Sequence, residues 1–182
     1  MRVRKMIGEK CYLSPIDLDD TNQYLEWLNS EEIFQYLLVG THVLSYETEK
    51  EALLRLSKEH VYGIIEKDND TLIGNVGLIN INHIHKTSEI GIFIGNTDFW
   101  GKGYGTEALE LLIDYGFRVL GLENIMLRVF EYNERARKRY EKVGFKVIGT
   151  RRKSHYYNLK RHNEIYMDIL PEEYYKDHKR AF

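Results

Sequence analysis

Three glycines at alternate positions, Gly101, Gly103 and Gly105, separate an apolar run (Ile90, Ile92, Phe93, Ile94) from an amphipathic stretch. This juncture constrains the fold more than any other part of the sequence. Beyond it Leu109, Leu112, Ile113, Gly116 and Leu120 recur at helical spacing, while Glu107, Glu110, Asp114 and Arg118 take the opposite face. Strand, glycine loop and helix in that order aim backbone N–H groups and the positive end of a helix dipole at one point. An anionic diphosphate suits that point, and glycine is needed where a side chain would block its approach or φ must be positive. Taken alone, the glycines fit a plain turn equally well. A dinucleotide loop fits poorly, because the spacing here is G-x-G-x-G and only Glu123 matches the acid expected about 20 residues on.

The run Trp100-Gly101-Lys102-Gly103-Tyr104-Gly105-Thr106-Glu107-Ala108 resembles the acetyl-CoA pyrophosphate loop of the GNAT acetyltransferases. The likeness is to the Rim-type (ribosomal-protein N-acetyltransferase) and spermidine N-acetyltransferase branches. The family pattern Gln/Arg-x-x-Gly-x-Gly/Ala falls on Trp100 to Gly105, with Trp100 departing at the first position, so the resemblance implies backbone contacts there. A second element, Asn133-Glu134-Arg135-Ala136 followed by Tyr140-Glu141-Lys142-Val143-Gly144-Phe145, resembles the family's N-x-x-[S/A]-x-x-x-Y-x-K-x-G-F. Two motifs in the right order are far more specific than either alone. The resemblance covers Leu72 to Asp168, and Asn80 to Glu89 is most similar to the spermidine branch.

The chain has 182 residues, one cysteine and a formal charge of −2. That length fits a single domain, 1–182, with a polar and aromatic tail from about Pro171. The charge balance argues against a nucleic-acid binder. Cys11 has no partner for a disulfide and reads as a small strand residue. No apolar stretch follows the basic segment Met1 to Lys10 and none spans a bilayer, so a soluble cytoplasmic protein is expected.

In order, the sequence predicts a strand at Lys10–Ser14, a helix capped by Asp17 through Leu28 with Leu18, Leu25 and Leu28 inward, and a short helical piece at Ile33–Leu38. A helix capped by Ser45 runs to Lys58, with Ala52, Leu53 and Leu56 inward. Strands follow at His60–Glu66, Thr71–Asn82 and Thr87–Gly95, with Gly74 and Gly77 marking bulges or close approaches. After the central helix come a strand at Asn124–Phe130, a helix from its cap Asn133 to Val143, and strands at Phe145–Thr150 and Glu164–Leu170. This is an α/β (α+β) chain. The resemblance implies the GNAT fold: a mixed, mostly antiparallel central sheet, helices on both faces, and splayed parallel strands 4 and 5. The acids of the front half (among them Asp17, Asp20, Glu26, Glu47 and Glu49) read mostly as solvated helix surface, a minority being available to a cationic substrate.

Acetyl transfer to an amine needs a positioned thioester, a deprotonated amine, a stabilised carbonyl oxygen and a protonated leaving thiolate. The resemblance places pyrophosphate on Gly101, Lys102, Gly103, Tyr104, Gly105 and Thr106, and the pantetheine arm along Ile92, Phe93 and Ile94. A backbone N–H near Ile92 or Phe93 would serve the carbonyl oxygen. Tyr140 matches the family's general acid, although Ala136, Tyr140 and Val143 also form an ordinary core stripe. Glu89 is the candidate base. Asn133 reads as a helix cap and then a pantetheine contact. With Ala136 and Lys138 it completes the cofactor set, some of the basic residues Arg135 to Lys142 meeting the CoA 3′-phosphate. His83 and His85 lack a third ligand for a metal.

The reading is an acetyl-CoA-dependent N-acetyltransferase working by direct attack in a ternary complex, without metal. Its acceptor is a polyamine or a protein N-terminus. A non-catalytic acyl-CoA-binding or sensor domain is the alternative on the same scaffold. The aromatic tail and outer strand suit a homodimer or higher homo-oligomer.

Overall fold

A computed structural model describes residues 2–38 and 42–178. The end of the polar tail lies outside them. Two compact units interleave along the chain: Met1–Ile79 with Ile92–Leu112, and Asn80–Gly91 with Ile113–Phe182.

In the first unit β1 (Met6–Ile7) and β2 (Cys11–Pro15) form a hairpin, and β2 pairs antiparallel with β3 (His60–Glu66). β3 pairs antiparallel with β4 (Thr71–Asn82), which neighbours β5 (Thr87–Ile94). Asp17 caps a 3-10 turn (Leu18–Asp20) by accepting from Asp19 N, and α1 (Thr21–Leu28) continues from it. The inward face of α1 is Thr21, Tyr24 and Trp27, and the expected Leu18 and Leu28 only flank the core. Aromatic bulk therefore outweighs the leucine count on this helix. α2 is the short Glu31–Phe34, and α3 (Tyr46–Leu56) starts at Ser45, whose Oγ accepts from Thr48 N at 3.2 Å. Tyr12, Tyr24, Trp27, Leu53, Ile65 and Leu72 build the core. β4 needs glycine at 74, because a Cβ there would stand 2.1 Å from Phe93 O.

The second unit holds the parallel pair, in which Thr87, Ser88 and Glu89 of β5 match Asn124, Ile125 and Met126 of β6 (Asn124–Phe130). Among the described residues this ladder ends at Glu89 and Met126. β6 pairs antiparallel with β8 (Lys160–Ile169), and β8 with β7 (Lys146–Tyr157). α5 (Glu134–Val143) begins where Asn133 Oδ1 accepts from Ala136 N, and ends at Gly144 with φ 112°. β7 and β8 run longer than their apolar cores suggested, and Asn158 and Leu159 turn the hairpin with positive φ. The expected tail is α6 (Pro171–Asp177), whose Tyr174 is buried.

α4 (Tyr104–Arg118) belongs partly to each unit. Its Asp114 is fully buried and not on a solvent face. Tyr175 Oη donates to it at 2.8 Å, and it is bonded to Arg118 as well. Among the described residues eight strands and the helices make the expected α+β arrangement, with the parallel strands expected as 4 and 5 now counted β5 and β6. Among the described residues no helix is long and apolar enough to cross a membrane.

Candidate functional site

The glycine loop lies in the first unit. Gly101 and Gly103 take φ of 73° and 93°, which a side chain tolerates poorly. Gly105 is different: it is buried in the first turn of α4. Thr106 N and Glu107 N both donate to Gly103 O and open the helix, so the N–H groups of Tyr104 and Gly105 ahead of them are donors without intrahelical partners. Lys10 Nζ donates to Lys102 O at 2.8 Å and adds a cation beside the loop. Positive-φ glycines, free amides and a lysine in one place fit a pyrophosphate.

Two side chains at the ends of the loop brace it. Trp100 Nε1 donates to Ile94 O at 2.8 Å and packs on the core, leaving its backbone for a ligand. Glu107 was expected on the solvent face. Its carboxylate instead accepts from the backbone N–H groups of Glu9, Lys10 and Cys11 and tethers the β1–β2 turn to α4. Burial pushes the adjacent Cys11 thiol upward in pKa, so it stays protonated. On the strand side Ile94 is buried while Ile92 and Phe93 are half-buried. The Phe93 ring meets Tyr24 and Trp27 edge-on at 6.1 and 6.2 Å.

The second unit carries the other predicted residues. Tyr140 is buried on α5 next to Ala136 and Val143, its ring edge-on to Phe145 at 6.0 Å. Burial raises its pKa, so the phenol keeps its proton, and among the described residues its hydroxyl has no hydrogen-bond partner. Asn133 acts as the helix cap. Lys138 is exposed. Glu89 is engaged by Arg128, whose Nε donates to it at 2.8 Å. His83 and His85 are exposed in the β4–β5 turn, and among the described residues no group of three or more His, Cys, Asp or Glu is placed to hold a metal.

Sequence reasoning missed Lys10, and it named Glu49 only as one of the front-half acids of which a minority suit a cationic substrate. Lys10 reaches the loop from 92 positions away, and no local pattern announces that. Glu49 sits among eight other front-half acids and differs from them only in being buried, as its i+4 neighbour Leu53 hints.

The family model for the acetyltransferase (GNAT) domain matches residues 10–146. The spermidine N(1)-acetyltransferase of Escherichia coli K12 is 31% identical over 176 residues, covering 92% of this chain and 89% of that one. The spermidine N(1)-acetyltransferase of Vibrio cholerae is 33% identical over 111 residues, 61% of this chain and 64% of its own. The crystal structure of spermidine N-acetyltransferase from Vibrio cholerae in complex with CoA and spermine superposes with a TM-score of 0.84 at 26% identity, over 92% of this chain and 99% of that chain. The GNAT acetyltransferase structure from Bacillus anthracis shares the fold at a TM-score of 0.82 and 22% identity, over 92% of this chain and 99% of its own. With a family model matching residues 10–146 and a relative 31% identical over 92% of the chain, this protein belongs to the GNAT acetyltransferase family and is an acetyl-CoA-dependent N-acetyltransferase.

Proposed function

We propose that residues 1–182 act as one N-acetyltransferase domain that acetylates a primary amine of a small polyamine of the spermidine class. The observation that carries this reading is the likeness to the Escherichia coli spermidine enzyme over 92% of the chain, which reaches into the acid-rich front half. The spermidine-like stretch Asn80 to Glu89 supports it.

Acetyl-CoA supplies a thioester whose carbonyl carbon is open to attack by an amine. The backbone of Trp100 to Thr106 holds the diphosphate, with Lys10 and Lys102 as neighbouring cations. Main-chain groups of Ile92, Phe93 and Ile94 align the amide-rich arm, an N–H of Ile92 or Phe93 facing the carbonyl oxygen. Asn133, Ala136 and Lys138 complete the cofactor contacts. Such positioning contributes roughly 7–11 kcal/mol to a bimolecular transfer. Tyr140, buried and protonated, gives its proton to the departing thiolate. Glu89, held by Arg128, serves as a positioning residue at the end of the parallel ladder.

An assay of spermidine and spermine against N-terminal peptides, read by CoA release and product mass, tests the reading. Turnover of polyamines without peptides is expected. Turnover of peptides alone overturns it and favours the Rim-type acceptor.

A further inference from the structure

Amine acceptors are cations at neutral pH, and a cation leaves water only for a carboxylate and further polar partners. Among the described residues of the first unit, one carboxylate is buried without such a partner. Glu49, in the first turn of α3, is 5% exposed, and among the described residues its carboxylate makes no ion pair or hydrogen bond. Burial alone raises its pKa, to about 7.

The Tyr24 hydroxyl of α1 lies within electrostatic reach of Glu49. Tyr24 is 1% exposed, and among the described residues its hydroxyl is buried with no hydrogen bond of its own. Asn75 of β4 lies beside that hydroxyl without closing a well-formed bond. The charges that reach the Tyr24 hydroxyl are Asp20, Glu49 and Arg2. Asp20 is already taken, its two oxygens accepting from Arg2 at 2.7 Å each. The other charged residues of the α3 start, Glu47, Lys50 and Glu51, are exposed. Glu49 is thus the carboxylate left over. The Tyr24 ring also meets Phe93, part of the strand end read above as the thioester site. Tyr24, Trp27 and Phe93 pack edge to edge, and the half-buried Phe93 is the member of this apolar cluster that a methylene chain between amines would meet.

We propose that the Glu49 carboxylate, the Tyr24 hydroxyl and the Asn75 side chain form the subsite that receives the acceptor's ammonium group, and that Glu49 takes its proton. This rests on the amine-acceptor reading above. One proton passes from the ammonium nitrogen to Glu49, leaving a neutral amine and a neutral carboxylic acid. The nitrogen lone pair forms the C–N bond as the C–S bond breaks, and the thiolate takes its proton from Tyr140. Tyr24 keeps its own proton, because burial raises its pKa, and it donates to the carboxylate or accepts from the ammonium.

The test compares wild type, Glu49→Gln, Glu49→Asp, Tyr24→Phe and the exposed control Glu47→Gln across pH. Two readouts are taken: spermidine kcat/KM, and thermal stabilisation by spermidine without acetyl-CoA. Glu49→Gln is expected to lower kcat/KM by about 10²–10³-fold, within the range for a lost proton acceptor. It should also lose the rise in activity centred near pH 7 and the spermidine-induced Tm shift, while the KM for acetyl-CoA stays within about twofold. Glu49→Asp should restore part of the pH-dependent limb, and Glu47→Gln should behave as wild type. A Glu49→Gln enzyme that keeps the wild-type limb and the spermidine Tm shift overturns the proposal, as does an equal loss at every pH. If wild type acetylates peptides and not spermidine, the polyamine reading fails by itself. The same Glu49→Gln comparison on the peptide then decides the role of Glu49.

Discussion

The Glu89 carboxylate accepts a hydrogen bond from Arg128 Nε at 2.8 Å, joining the last residue of the described β5–β6 ladder to the neighbouring parallel strand β6. The two side chains are only 13% and 27% exposed, so the pair lies between a surface ion pair and a buried one. Glu89→Gln and Arg128→Met are each expected to lower stability by about 1–2 kcal/mol, measured by urea unfolding. A double-mutant cycle should return a coupling of similar size. The pH midpoint of kcat/KM stays where wild type has it if Glu89 positions rather than accepts the proton. A midpoint displaced by Glu89→Gln returns the base to this residue.

Tyr140→Phe removes one oxygen that has no partner among the described residues, so its effect separates chemistry from packing. The expected outcome is an unchanged Tm, an unchanged KM for acetyl-CoA and a kcat lowered about 10²-fold. Steady-state kinetics and a melting curve on the same preparation check it. Full turnover in this variant removes the general-acid role.

Gly103→Ala places a Cβ where φ is 93° and where Lys10 Nζ would lie 3.1 Å away. The strain is about 1–3 kcal/mol, and the loop relieves it by abandoning the conformation that aims its amides. Acetyl-CoA affinity should fall about tenfold or more by calorimetry, with acceptor KM less affected. Equal affinity for wild type and variant would separate the loop from the diphosphate.

Glu49 makes stability depend on pH. Its pKa is 4.5 in the reference state and about 7 when folded, so the folded protein holds the extra proton between these values. The stabilisation from that proton is present below about pH 4.5 and is lost as pH rises through about 7. Wild type should therefore lose Tm relative to Glu49→Gln between about pH 5 and pH 8. Parallel Tm curves would contradict the raised value.

Much of the framework was legible because its signals are local. Asn133 and Gly144 bound α5 as expected, since a side-chain cap and a positive-φ stop are each written within three residues of the helix end. The strands His60–Glu66 and Thr71–Asn82 match their apolar runs. What escaped depends on partners far along the chain. Glu107 reads as a solvent-facing helix residue until the amides of Glu9, Lys10 and Cys11, more than 95 positions earlier, fold against it. Asp114 fits the polar stripe of α4 by spacing, yet Tyr175 comes back to cover it. The length of β7 was hidden because its residues are mostly exposed and show no alternation. The two-residue β1 is too short to leave a pattern.

The Glu107 tether has a further consequence for the one thiol. Cys11 Sγ is buried and stands 3.2 Å from Glu107 Oε2, so alkylating reagents meet a protonated sulfur sealed behind a hairpin. The native protein should resist labelling, and each opening of the β1–β2 turn should register as a modified cysteine. A single thiol thereby becomes an intrinsic clock for local unfolding beside the glycine loop.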